Sequence, residues 1–185
     1  GLSNQLTELA PKRLEILAEL FPAPARLAFL RQAGAGGMGD VTAVMRAWAR
    51  DSGRELEQLE VNTTDEMGEQ LRRARARGVA GMLVYGFLDR RSWLDEQAAQ
   101  AGIGLMWPFR NPAESAELVS YAVDFNAVWQ RAAHYVDRIL RGAAPASLPM
   151  EQPTQIELVI NLRTAARLGI RVPASLLIRA SRVVE

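Results

Sequence analysis

The chain has 185 residues, 49% of them hydrophobic, and its 22 basic and 21 acidic side chains leave a formal charge of +1. That length buries a core without disulfides or metal, and the balanced charge gives no electrostatic reason to expect a nucleic acid or an anionic membrane as partner. No cysteine is present, which removes thiol nucleophiles, zinc–thiolate sites and iron–sulfur clusters, and the single histidine, His134, leaves little for a catalytic triad or a multi-histidine metal centre.

Pro11 suits a helical first turn, and Leu14, Leu17, Ala18 and Phe21 then share a face until Pro22 and Pro24 stop the helix. Residues 26–31 read as a short strand. Asp40 is placed to cap the next helix, whose Val41, Val44, Met45, Trp48 and Ala49 keep the i, i+3, i+4, i+7, i+8 spacing up to Gly53. Residues 55–61 form a weaker strand whose charges suit a sheet edge. A helix begins at Thr64 or Asp65, carries Met67, Leu71 and Ala74 inward and closes at Gly78. Residues 79–85 hold no charge, which marks a strand covered on both faces, as in a parallel sheet between helix layers.

A helix over 92–101, a strand over 103–107 and a short strand over 118–121 follow. The next helix is long and turns Val128, Trp129, Ala132, Val136, Ile139 and Leu140 one way, with Trp48 and Trp129 expected to pack. Residues 142–153 read as a linker, and a strand over 156–162 and two short helices end the chain. The alternation predicts an α/β fold, an open, doubly wound parallel sheet. Ligands in such sheets sit beyond the carboxyl ends of the strands. No run reaches the ~18 apolar residues of a membrane span.

Gly34-Ala35-Gly36-Gly37-Met38-Gly39 is a literal G-x-G-x-x-G between a strand and a helix, with Glu60 about 20 positions on to meet a ribose. Three features oppose a dinucleotide there. The first glycine follows the strand late, Asp40 sets a negative charge at the phosphate end of the helix, and no second domain offers a proton-transfer group. A glycine-rich ligand loop is the alternative.

The segments Tyr135-Val136-Asp137-Arg138-Ile139-Leu140-Arg141-Gly142, Leu148-Pro149-Met150-Glu151-Gln152-Pro153-Thr154 and Glu157-Leu158-Val159-Ile160-Asn161-Leu162-Arg163-Thr164-Ala165 carry a family likeness. So do Gly1-Leu2-Ser3-Asn4, Lys12-Arg13-Leu14-Glu15 and the closing Leu168–Leu177. Together they resemble the substrate-binding proteins of ABC transporters, of the kind that serve tryptophan and tyrosine importers. Ser120-Tyr121 with Asp124 resembles the family's Ser-Tyr-Gly-Pro-Asp/Asn segment, Ala122 and Val123 standing for the Gly-Pro. The family's Asn-Pro-rich loop after the first strand is replaced by Gln32–Gly39, which points to a changed specificity.

The resemblance implies one lobe of a type I periplasmic-binding-protein-like fold, working outside the cytoplasmic membrane, with no catalysis and no cofactor. It also implies a small organic solute, in the range of an amino acid or related compound, delivered to an ABC permease by hinge closure. A first lobe and a leader precede the Gly-Leu-Ser-Asn stretch in that family, so this chain is expected to be the second lobe with its crossing segments. A homodimer through the face that the first lobe covers is a further expectation. On this reading residues 1–118 form the ligand-binding lobe, 119–150 a hinge strand, crossover helix and linker, and 151–185 the return strand and helices. A sensory domain fused to a signalling protein is the rival reading, with a nucleotide-binding enzyme domain behind it.

Candidate ligand contacts lie just past strand ends. Tyr121 and Asp124 offer an aromatic wall and a carboxylate for an amine, beside Ser120, with a hinge role as the alternative. Phe109 and Arg110 follow a strand directly, and an arginine there forks onto a ligand carboxylate or pairs on the surface. Tyr85 either stacks on ligand or is a core tyrosine with a bonded hydroxyl. His134 is given no role, and the arginine-rich stretch 72–77 is read as a solvated helix end.

Overall fold

The structure is a computed structural model that describes residues 1–2, 5–32, 39–86, 91–109 and 116–185. One seven-stranded sheet runs in the order β2-β1-β3-β4-β5-β6-β7. Its strands are β1 Arg26–Gln32, β2 Leu56–Val61, β3 Val79–Tyr85, β4 Gly104–Trp107, β5 Val119–Val123, β6 Ile156–Asn161 and β7 Arg182–Val184. The first five are mutually parallel; β6 runs antiparallel to β5, and β7 is parallel to β6. The charged strand β2 is an edge, as its sequence predicts.

Seven helices accompany the sheet among the described residues: α1 Ala10–Leu20, α2 Gly39–Ser52, α3 Thr64–Ala76, α4 Arg91–Gln100, α5 Phe125–Leu140, α6 Leu162–Arg167 and α7 Ala174–Arg179. Their ends follow local chemistry. The Thr63 hydroxyl accepts the Glu66 amide at 3.4 Å while the Glu66 carboxylate accepts the Asn62 amide at 3.1 Å, a reciprocal cap on α3. Gly78 then leaves that helix at φ +87°, a left-handed turn open to glycine at little cost.

Alternation along the strands divides the core into two layers. Phe29, Leu83, Tyr85, Met106 and Val119 pack with α1, α2, α6 and α7 on one face. Ala28, Leu30, Met82, Val84, Leu105 and Trp107 pack with α3 and α4 on the other. Helices on both faces are what the uncharged β3 demands.

Helix α5 departs from expectation. Its apolar residues do share a face, but most of that face is exposed, Val128 and Ala132 being half-buried: Trp129 is 67% exposed and Leu140 81%, and Tyr135 is the helix's buried residue. Trp129 is therefore not a packing residue within the described structure. Helical spacing gave it an inward face, but no element among the described residues covers it. Trp48, by contrast, is partly buried against the α1–α2 layer.

Candidate functional site

The order β2-β1-β3 means that the chain leaves β1 toward one edge and resumes at β3 on its other side. Between them lies the switch point, where neighbouring βα connections diverge and leave a crevice beyond the strand ends. Gln32 and Gly86 meet there. Gly86 has φ +97°, and a Cβ on it would stand 2.9 Å from Gln32 Cβ, so the position requires glycine. The Gly-rich loop itself lies outside the described residues apart from Gly39. Glu60 is bound by the Arg31 guanidinium at 2.6 Å, which takes up the carboxylate that a ribose would need.

Arg13, in the first turns of α1, is fully buried at these strand ends. Its Nε donates to the Tyr121 carbonyl at 2.8 Å, and its Nη1 to the Leu6 carbonyl at 2.9 Å and to the Tyr85 hydroxyl at 3.1 Å. Nη2 donates to the Pro108 carbonyl at 3.4 Å. One side chain thus joins the chain's opening segment, the ends of β3 and β4, and β5. Burial lowers the Arg13 pKa from its ordinary value, partly opposed by Tyr85 and Tyr121, yet a guanidinium remains charged. Burial likewise raises that of Tyr85.

A second polar cluster sits on the other face. Arg91, the first residue of α4, donates to the Phe109 carbonyl at 2.9 Å, pairs with buried Glu117 and lies over the Trp107 ring at 4.6 Å. Trp107 in turn donates its indole N–H to Asp95 at 2.7 Å. Desolvation raises the Asp95 carboxyl to about 6 and lowers Arg91 to about 10. The consecutive carbonyls of Pro108 and Phe109 are therefore held by two arginines from opposite faces of the sheet.

The predicted contacts divide between these surroundings. Tyr85 takes the core form: 2% exposed, edge-on to Phe29 at 5.9 Å, its hydroxyl bonded to Arg13. Tyr121 packs partly buried against the α1 layer. Phe109 rests on Phe125 of α5 with ring centroids 5.6 Å apart. Asp124 caps α5 by accepting the Asn126 amide at 2.9 Å, and its own amide reaches the Gln155 carbonyl at 3.0 Å. Ser120 is 1% exposed, and among the described residues its Oγ has no hydrogen-bond partner. Arg110 lies outside the described residues, and His134 is exposed. A cavity of about 280 Å³ opens beside Asp124, between the start of α5 and residues 151–155, with the Arg131–Glu151 ion pair on its wall.

Arg13, Arg91, Asp95 and Glu117 were not picked out as site residues from sequence. Arg13 did carry a signal, because it falls on the stripe Ala10, Arg13, Leu14, Leu17, whose other members are all buried. A charge at a core position of an amphipathic helix must find buried partners.

A family model described as ABC transporter substrate binding protein matches residues 1–184. No curated protein matches the chain. A conserved domain protein from Vibrio cholerae superposes with a TM-score of 0.84 at 20% identity, covering 99% of this chain and 62% of that one. A Streptococcus pneumonia ABC domain in complex with L-Trp gives 0.80 at 21%, covering 95% and 60%. A substrate-binding protein with adhesive properties from Clostridium difficile, in a ligand-free open form, gives 0.72 at 15%, covering 99% and 61%. The chain thus spans about three fifths of the length of the structures it resembles, and the shared fold is that of type I periplasmic binding proteins.

Proposed function

Because the chain belongs to the ABC transporter substrate-binding proteins, a family of binding proteins rather than enzymes, we propose that it holds a small organic solute at the strand ends and presents it to an ABC permease. The observation that carries this reading is the gathering of Tyr85, Tyr121 and the Pro108–Phe109 turn around Arg13 at the ends of β3 and β4 and beside β5. A rigid floor of that kind is what a pre-formed solute site requires. The L-Trp held by the Streptococcus pneumonia domain supports an amino acid or related compound as the solute. The family works outside the cytoplasmic membrane, and that is the location we assign to this chain. Among the described residues no helix is long and apolar enough to cross a membrane.

The second wall of the cleft comes from a companion lobe, closing by a hinge at the segments around residues 119–124 and 151–155. Two observations support it. About two fifths of the length of the structural relatives lies outside the part that this chain covers, and α5 presents a largely exposed apolar face beside those segments.

Nuclear magnetic resonance titration of the chain with amino acids and small organic acids tests the reading. With one wall present, we expect saturable millimolar binding that shifts the resonances of Tyr85, Phe109 and Tyr121. Saturable micromolar binding of NAD or NADP would sink the importer reading in favour of the nucleotide one.

A further inference from the structure

Helix α5 stands on segments that leave and rejoin the sheet. Asp124, its cap, receives the chain from β5 and donates its amide to the Gln155 carbonyl at 3.0 Å, just before β6. Farther along, Tyr135 donates its hydroxyl to the Pro149 carbonyl at 2.8 Å, and Arg131 pairs with Glu151. The same segment holds the start of the chain: the Pro149 carbonyl accepts the Gly1 ammonium at 2.6 Å, and the Gly1 carbonyl accepts the Glu151 amide at 2.7 Å. These bonds tie α5 to the crossing segments. Ala127 and Val128 of its first turn line the cavity of about 280 Å³, so the helix has room to tilt at its base. From the strand ends, the Phe109 ring rests against Phe125, the first residue of α5, with centroids 5.6 Å apart and planes at 50°. That separation lies within the range of a favourable aromatic pair. Phe109 sits on a fixed backbone, because Arg13 holds the Pro108 carbonyl from one face of the sheet and Arg91 holds the Phe109 carbonyl from the other.

We propose that Phe109 is the positioning residue of the hinge: by seating Phe125 it sets the angle at which α5 leaves the sheet. A backbone crossing keeps φ and ψ free to bend, whereas a ring seated on a clamped turn gives the helix one preferred direction. Two buried arginines converge on consecutive carbonyls for the same reason, since a seat that moved could not hold an angle. Phe109 is half-buried and lies just past β4, at the strand-end site proposed above, so one ring stands between solute and hinge. The inference rests on that hinge reading and names the residue through which a solute bears on α5. Arg138 lies about 20 Å along the helix axis from Phe125, so a tilt of about 20° at the base moves it by about 7 Å.

The chain has no cysteine, so spin labels go in pairs onto introduced ones. Arg138→Cys on α5 is combined with Ala43→Cys on α2 or with Ala76→Cys on α3, all exposed positions. Ala43→Cys with Ala76→Cys is the control within the sheet domain. Pulsed double electron–electron resonance reads the distances, with labelled protein diluted in unlabelled chain so that only distances within one molecule count. Each α5 pair should give one narrow distribution in the parent protein. Phe109→Ala and Phe125→Ala should each shift or widen it by about 5 Å or more and leave the control unchanged. The two together should go no further than either alone, and Phe109→Tyr, which keeps the ring, should retain the parent distribution. A ring that served stability alone would lower the urea midpoint and leave the α5 distances as they were. Should Phe109→Ala fail to fold, Phe125→Ala and Phe109→Tyr decide. Unchanged α5 distances in the alanine variants, a broad distribution in the parent, or a Phe109→Tyr as broad as Phe125→Ala would overturn the inference. No solute is added, so that result would leave the strand-end site to be judged by its own titration, and a failed titration would leave the measured angle standing.

Discussion

Asp95 is a carboxyl group buried where its charged form is poorly served. Its Oδ1 accepts from Trp107, but its Oδ2 is buried with no hydrogen-bond partner among the described residues. Desolvation outweighs Trp107 and Arg91 and raises the group from 3.8 to about 6. A folded-state pKa above the unfolded one means that the native protein binds the extra proton between those values. The stability contributed is then complete below pH 4 and lost as pH rises through 6. The loss is on the order of 2–3 kcal/mol. Asp95→Asn keeps an acceptor for the indole and removes the charge. Urea unfolding at pH 4, 5, 6 and 7.5 should show a flatter pH profile than wild type, with stability raised by about 1 kcal/mol at pH 7.5. An unchanged profile would place the carboxylate in better-solvated surroundings. Neither this group nor Arg13 was legible as a partner in sequence. Composition shows that a charge sits in an apolar stripe, but only the sheet brings Trp107 over Asp95, or the carbonyls of Leu6, Pro108 and Tyr121 onto one guanidinium.

The elements themselves were far more legible, since periodicity and glycine stops are local. β3 spans Val79–Tyr85 as the uncharged run required, and α1 to α4 fall within a residue or two of their predicted ends. The antiparallel direction of β6 and the closing strand β7 were not legible, because each depends on a neighbour far away in the chain. β7 pairs Arg182, Val183 and Val184 with β6, and three residues hold too little pattern to read as a strand. Packing between elements is equally hidden. Gly81 and Gly104 are register partners on β3 and β4, and together they seat the Phe21 ring. A Cβ on Gly81 would stand 2.5 Å from Phe21 Cδ2, and one on Gly104 2.6 Å from Phe21 Cζ and 2.5 Å from Leu118 Cδ2. Gly104→Ala should therefore cost about 1–3 kcal/mol by overpacking, read as a lower urea midpoint at unchanged slope. Phe21→Leu should recover part of the loss by withdrawing the ring, and failure to recover any would show that Leu118 is the obstacle.

For the whole molecule, α5 is the element that its own domain does not explain. A 16-residue helix with Trp129, Val136, Ile139 and Leu140 exposed along one side is amphipathic toward something it does not touch here. One helix stripe is smaller than the roughly 800 Å² per partner of a standard stable interface. A tight dimer of two copies through α5 alone is thus disfavoured, and the larger companion lobe that we propose suits the face better. The isolated chain should still associate weakly, since an uncovered apolar patch finds what partner it can. Sedimentation equilibrium from about 10 to 500 µM should show concentration-dependent self-association that Trp129→Gln with Leu140→Gln abolishes. Because those side chains contact little in the domain, the same pair should change stability by no more than about 0.5 kcal/mol. A large loss of stability would mean that α5 is held by contacts within this chain, and persistent association would locate the sticky surface elsewhere. Either result would remove the support that α5 gives to a second lobe, while leaving Arg13 and the strand ends as they are.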